Sequence, residues 1–304
     1  MKKIGILLLG TAFLSGCGSD DSDDSRASNT YVGAIEAVST DFDSITVNSM
    51  PLSLTNARIE LNNTNVNATE LAVGMQVDVE YDNGVAYEVD IDPQIVGTVT
   101  AITATTVTVN GQALSTETDF TGTINPNEKV MLFGYVDQTG NWKINAAYGV
   151  GSIPVEDLFE GKIISIDNVG NSFTIEPTMT VNYSTARLDP EDIAELKVGA
   201  WVEVEGNYNA PVFVATDVDV EDDLVLANAE VEGYITNINA DKTSMILNGK
   251  TVVVISPTTR FVKENANGDD VASDNSILVL NAKVEVDLIN RNGVLEATEI
   301  ELDN

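Results

Sequence analysis

Apolar and polar residues alternate along most of this chain. In the run Gln76 to Tyr81, Val77, Val79 and Tyr81 point one way, and Gln76, Asp78 and Glu80 the other. Period two with polar partners predicts half-buried antiparallel strands. The 3.6-residue period of helices is nearly absent. Short helical turns are expected only at Asn67 to Leu71 and at Asp189 to Leu196. In the second, Asp189 suits an N-cap and Pro190 the first helical position.

The pattern repeats four times. Gly33, Gly97, Gly161 and Gly233 open equivalent strands, in Val-Gly-Ala-Ile, Val-Gly-Thr-Val, Glu-Gly-Lys-Ile and Glu-Gly-Tyr-Ile. A second strand follows each, at residues 44–48, 106–110, 172–176 and 244–248. Two of these runs turn through Asn110-Gly111 and Asn248-Gly249, a hairpin dipeptide. Leu71-Ala-Val-Gly74-Met-Gln-Val-Asp-Val-Glu80 matches Leu196-Lys-Val-Gly199-Ala-Trp-Val-Glu-Val-Glu205. Copy four keeps that strand as Lys283 to Leu288, and copy two offers a weaker form at Asn127 to Gly134. The closing landmark is Ala86 to Val89, Ala215 to Val218 and Ala297 to Ile300. Each unit therefore runs strand, strand, strand, short helix, strand, strand.

A unit this small buries a modest core, and five or six short strands are best closed into a barrel without free edges. A helical turn between the third and fourth strands is the order of an OB barrel. The fold class is all-β, with four tandem small OB-like barrels expected at 31–93, 94–150, 151–223 and 224–304. The glycine openings, the Leu-x-Val-Gly-x-x-Val-x-Val strand and the Ala-Thr-Asp/Glu-Val/Ile ending resemble a bacterial domain of unknown function found in tandem in envelope lipoproteins. The resemblance covers roughly residues 31 to 302. It implies an OB-like barrel and brings no activity and no site residues.

The N-terminus carries an address. Lys2 and Lys3 precede an apolar stretch from Ile4 to Phe13, too short to span a bilayer. Leu14-Ser15-Gly16-Cys17 resembles a lipobox, which implies a signal peptide over 1–16 and acylation of Cys17, the only cysteine. Several acyl chains anchor stably where one is marginal. Gly18 in place of Asp points to the outer membrane rather than the inner. Residues 17–30 are polar and acidic and read as a flexible tether.

Charge narrows the functions. Among 304 residues there are 48 Asp plus Glu, 15 Lys plus Arg and no histidine, for a net charge of −33. Histidine triads and histidine-ligated metals are excluded, and nucleic acid is an unfavourable partner. No nucleophile motif or phosphate loop appears, so no enzyme is expected and no cofactor is required. Asp217, Asp219 and Glu221 alternate on one strand face, as do Asp90 and Asp92, and Glu299, Glu301 and Asp303. Their plain reading is a solvated outer face. The alternative is weak calcium binding, since carboxylate oxygens suit that ion. Asp269 and Asp270, in the insert Lys263 to Asp274, look faintly like a calcium loop but miss its spacing. Trp201 sits opposite the Val202 and Val204 face, where core or inter-barrel packing is the reading preferred and sugar stacking the alternative. Trp142 is expected to cover a hairpin, with sugar stacking again the alternative. The reading that results is a non-catalytic outer-membrane lipoprotein, its barrels a structural or protein-interaction array. Binding of envelope polysaccharide or calcium is the alternative.

Overall fold

In the computed structural model, which describes residues 29–221, 226–265 and 270–303, four five-stranded barrels follow one another. Cys17, the leader and nearly all of the tether lie outside the described residues, as does Asp269.

Barrel one is built from β1 (Asn29–Val38), β2 (Ser44–Val47), a third strand broken into β3 (Met50–Ser53) and β4 (Arg58–Leu61), the short β5 (Thr64–Asn65), then β6 (Gln76–Asp82) and β7 (Val85–Ile91). Barrel two holds β8 (Ile95–Ile102), β9 (Thr106–Val109), β10 (Gln112–Gly122), β11 (Lys129–Val136) and β12 (Trp142–Gly149). Barrel three holds β13 (Asp157–Asp167), β14 (Ser172–Ile175), β15 (Met179–Asn182), α1 (Pro190–Glu195), β16 (Trp201–Asn209) and β17 (Val212–Val220). Barrel four holds β18 (Ala229–Ile238), β19 (Ser244–Leu247), β20 (Thr251–Glu264), β21 (Asp270–Ala272), β22 (Lys283–Asn290) and β23 (Leu295–Leu302).

In every unit the first strand pairs antiparallel with the second and the fourth, and the third pairs in parallel with the fifth. That circuit closes the sheet in the OB order. The expected turns are present as a 3₁₀ turn at Ala68–Glu70 and as α1, and barrel four adds a third at Asn275–Ile277. Pro190 begins α1, and Asp189 stands at its cap without a side-chain hydrogen bond to it.

The opening glycines have a steric cause. A Cβ at Gly33 or Gly97 would lie 2.1 or 2.2 Å from the Oδ1 of Asn48 or Asn110. At Gly161 it would meet Ile175 at 2.4 Å, and at Gly233 Asn248 at 2.9 Å. The end of the second strand thus folds flat onto the first, which only glycine permits. Two residues on, each first strand carries a register shift, at Ile35/Ala37, Val99/Ala101, Ile163/Ser165 and Ile235/Asn237. Bulges of this kind bend a strand around a barrel.

The barrels are joined, not strung. The first strands β1 and β18 pair in parallel, Tyr31 opposite Glu230, and β8 and β13 pair antiparallel, Leu158 opposite Val96. One apolar core runs through barrels two and three. A second fills barrel one and takes in Met131, Phe133 and Ala146 of barrel two. Barrel four has its own, to which Val32 contributes. The weak alternation of copy two follows: the outward side of β11 and β12 is apolar because barrel one covers it. Tyr148 Oη donates to the Val73 carbonyl at 2.5 Å across that joint.

Candidate functional site: carboxylate ladders and the barrel joints

Three barrels carry the same acidic construction on the outside of their fourth and fifth strands. In barrel one, Asp78 lies opposite Asp90 and Glu80 opposite Glu88, and β4 adds Glu60 beside Asp90 and Arg58 beside Glu88. In barrel three, Glu160, Glu203 and Asp219 form one row, and Glu205 and Asp217 the next. In barrel four, Glu232, Glu285 and Glu301 form a row, and Glu230, Asp287 and Glu299 the next. Like charges directly opposite one another destabilise a sheet.

Each ladder is met by one arginine at the matching register: Arg58 on β4, Arg260 on β20, and Arg187 beyond β15 in an isolated parallel bridge to Asp217. Arg58 bonds Glu88, Arg187 bonds Asp217 and Arg260 bonds Glu299. These arginines are about half exposed or more, so each pair adds little stability. Barrel two has Thr121 and Ala146 at the equivalent register. Its ladder positions are apolar because they face barrel one.

Neutralisation is incomplete, and the carboxyls respond. Glu285 is pushed up to about 8, first by burial and then by Glu230 and Glu232. Glu230 rises to about 7 through burial and Asp287. Asp219 rises to about 6, chiefly by burial. Glu232 and Asp287 are raised as well, again mainly by burial. Lys283 sits 2.6 Å from Glu232 and 2.7 Å from Asp303. Burial opposes its charge, but the two carboxylates outweigh burial and raise its pKa.

Three triads bring carboxylate oxygens within 4.8 Å of one another: Glu60, Glu88 and Asp90; Asp92, Glu160 and Glu203; Glu36, Glu232 and Glu285. Each includes a pair from the same ladder row. Hard oxygens at that spacing are what a calcium ion takes, although it needs six to eight of them.

The predicted metal residues fall differently. Asp217 is buried and tied to Arg187. Asp219 lies opposite Glu203 in the neighbouring row, and Glu221 pairs with Lys250 at 3.0 Å. They share a face, but none belongs to a triad. Asp270 begins β21 opposite Glu264 in the backbone register. Sequence reasoning passed over Glu160 and Glu232, each standing just before an opening glycine, and Glu203 and Glu285, polar positions in the alternating fourth strand. The alternation was visible; that the strands align these positions side by side was not.

One tryptophan corrects an expectation. Trp142 is 3% exposed and packs its ring against Phe159 and Trp201, both at 6.3 Å, so it is a core residue of the joint between barrels two and three and not a hairpin cover. Trp201 is half-buried, and its Nε1 donates to Glu160 at 3.1 Å. Lys250 of barrel four lies 6.0 Å from the Trp201 ring centroid and 3.7 Å from Glu160. Glu160 is pushed up to about 7, above all by burial; Asp92 and Glu221 add to the rise, while Lys250 and the Trp201 hydrogen bond oppose it. Both indoles are engaged within the joints.

The architecture defines a tandem-barrel protein, four closed five-stranded units from one chain. The chain belongs to the family of the domain of unknown function DUF5666, whose profile matches residues 32–87, 96–143, 160–219 and 232–301. No curated protein matches it. Among solved structures, a multidomain protein with nucleic acid binding domains from Streptococcus pneumoniae TIGR4 is similar at 12% identity, over 67% of this chain and 72% of that one, with a TM-score of 0.16. A TM-score that low lends no weight to any inference about fold or binding.

Proposed function

We propose that this chain is a non-catalytic lipoprotein of the bacterial outer membrane, its barrels serving as a rigid structural or protein-interaction module. One observation carries the reading: the four barrels are fused through paired first strands and shared apolar cores. Such a body holds its surfaces in fixed relation, so several weak contacts to one partner add as a single multivalent contact. Lipidation of Cys17 would hold it at the membrane. Replacing Cys17 with Ser moves the chain from the outer-membrane fraction to the soluble periplasmic fraction on sucrose-gradient separation. Unchanged membrane association in that variant overturns the anchoring.

The recurrence of the triads on three barrels favours a second reading, in which the ladders take up calcium. Anything that binds the folded state alone raises its melting temperature with concentration. Calcium then gives a saturating rise in Tm that magnesium does not match and chelator reverses, and the rise shrinks in Glu203→Gln. An unshifted Tm leaves the ladders as surface charge.

A further inference from the structure

Five Asn-Gly pairs occur in the chain, beginning at Asn83, Asn110, Asn248, Asn267 and Asn292. Asn267 lies outside the described residues. An asparagine followed by glycine is prone to cyclise, because glycine has no Cβ to block the approach of its own backbone nitrogen to the asparagine side chain. Two freedoms are needed. The carboxamide must swing back toward the chain, and the glycine N–H must be uncommitted.

The four described pairs all sit in hairpin turns at positive φ, yet they differ in both freedoms. Asn110 is buried, and its Nδ2 is held by the Val96 and Leu158 carbonyls. The Oδ1 of Asn248 accepts from the Tyr234 N–H at 2.8 Å, and the Gly249 N–H donates to Thr236 Oγ1 at 2.8 Å, so both reacting groups are tied. Asn292 is exposed, but the Gly293 N–H donates to Asn290 Oδ1 at 2.9 Å. Asn83 is exposed and its side chain makes no hydrogen bond among the described residues. Gly84 accepts from the Ser53 N–H at 2.9 Å through its carbonyl, and its own N–H donates to nothing among the described residues. A Cβ built on Gly84 would meet nothing within 4 Å, so the space around the turn is open.

We propose that Asn83 is a site of spontaneous deamidation, the first of the four described pairs to react, and that its conversion loosens the closure of barrel one. The Gly84 nitrogen attacks Asn83 Cγ. The N–Cγ bond forms, the Cγ–Nδ2 bond breaks, and the proton from Gly84 leaves with the amide as ammonia. Water then opens the resulting succinimide. Cleavage of the bond to Cγ gives aspartate, and cleavage of the bond to the Asn83 backbone carbonyl carbon gives isoaspartate. One water is consumed, one ammonia is released, and nothing is oxidised or reduced. Isoaspartate routes the backbone through the side chain, which adds a methylene to a two-residue turn. That turn sets Asp82 opposite Val85, and it holds the Ser53 bond beside the single Ser53–Val85 register through which β3 joins β7. A lengthened turn cannot keep both.

The test incubates the full-length chain, folded and in urea, at mildly alkaline pH, which favours loss of the glycine amide proton. Cleavage after glutamate then puts each Asn-Gly pair on its own peptide for mass spectrometry. Isoaspartate is read as a second chromatographic peak of the same mass as the aspartate form. In urea all the pairs react alike, as their shared sequence requires. In the folded chain Asn83 is expected to convert at least tenfold faster than Asn110 or Asn248, and ahead of Asn292. Conversion of any of these three as fast as Asn83 overturns the proposal, as does a folded chain in which Asn83 stays intact while urea converts it. The loosening is read separately, by amide hydrogen exchange, which reports local opening. Exchange at Ser53 should quicken several-fold in the converted chain. It should stay unchanged in Asn83→Asp, which gains the charge without the methylene and tolerates positive φ. Unchanged exchange at Ser53 after conversion overturns the loosening.

Discussion

At the residue scale, the repeat turns on a glycine and an asparagine. Asn110 is buried, and its Nδ2 donates to the Val96 carbonyl at 2.9 Å and to the Leu158 carbonyl of barrel three at 3.5 Å. Asn48 reaches the Glu230 carbonyl of barrel four in the same way, at 3.3 Å. One side chain therefore closes its own hairpin and fastens the neighbouring barrel. Both Asn110 and Gly111 sit at positive φ, as the hairpin dipeptide requires. An added methyl at position 97 would meet Asn110 Cγ at 2.6 Å as well as its Oδ1, and Asn110 cannot retreat without losing these bonds. Gly97→Ala is expected to cost about 1–3 kcal/mol, the usual range for overpacking. Gly233→Ala, with its nearest contact at 2.9 Å, should cost less. Urea unfolding midpoints of the two variants check the order.

At the scale of elements, alternation in the sequence located the strands well wherever one side faces water. Val77 and Val79 are buried and Asp78 and Glu80 half-buried, as period two requires. The same logic faltered at β11, where Val130, Met131, Leu132 and Phe133 are all buried. No period survives in a strand covered on both sides, and what covers it comes from another barrel. Trp142 departs from expectation for the same reason: barrel three covers its hairpin, while Trp201 packs between barrels as the preferred reading had it. The acidic ladders were half legible, since single strands showed their acids but register alone pairs Glu203 with Asp219. Phe133 is 1% exposed within the core shared by barrels one and two. Phe133→Ala should lower stability by about 3–5 kcal/mol, the typical cost for a buried phenylalanine. Denaturant unfolding followed by tryptophan fluorescence measures it; a loss below 1 kcal/mol would mean that barrel one does not pack there.

At the scale of the whole molecule, acidity and stability are linked. Glu160, Asp219, Glu230, Glu232, Glu285 and Asp287 all have folded pKa values above their ordinary ones. The folded chain thus holds more protons than the unfolded chain from the ordinary carboxyl range, near 4.5, up to about 8. By linkage, stability falls as pH rises through that window. Asp43, Asp137 and Asp274, whose pKa values are lowered, act in the opposite sense and only below their ordinary range near 3.8. Tm is expected to be several degrees higher at pH 5.5 than at pH 8.5. Glu285→Gln, which removes the charge between Glu232 and Glu301, should recover part of the loss at pH 8.5 and change little at pH 5.5. A melting temperature flat between these pH values would show that the ladders are too well solvated to matter.

The parallel pairing of β1 with β18 has a mechanical consequence. The N-terminal segment leads straight into β1, whose Tyr31 and Val32 are bonded into β18 on one side and into β6 on the other. A pull along β1 from that end strains both ladders in shear, many hydrogen bonds at once, instead of peeling them one by one. Force entering at the first barrel is shared immediately with the last, although nearly 200 residues of chain separate Tyr31 from its partner Glu230.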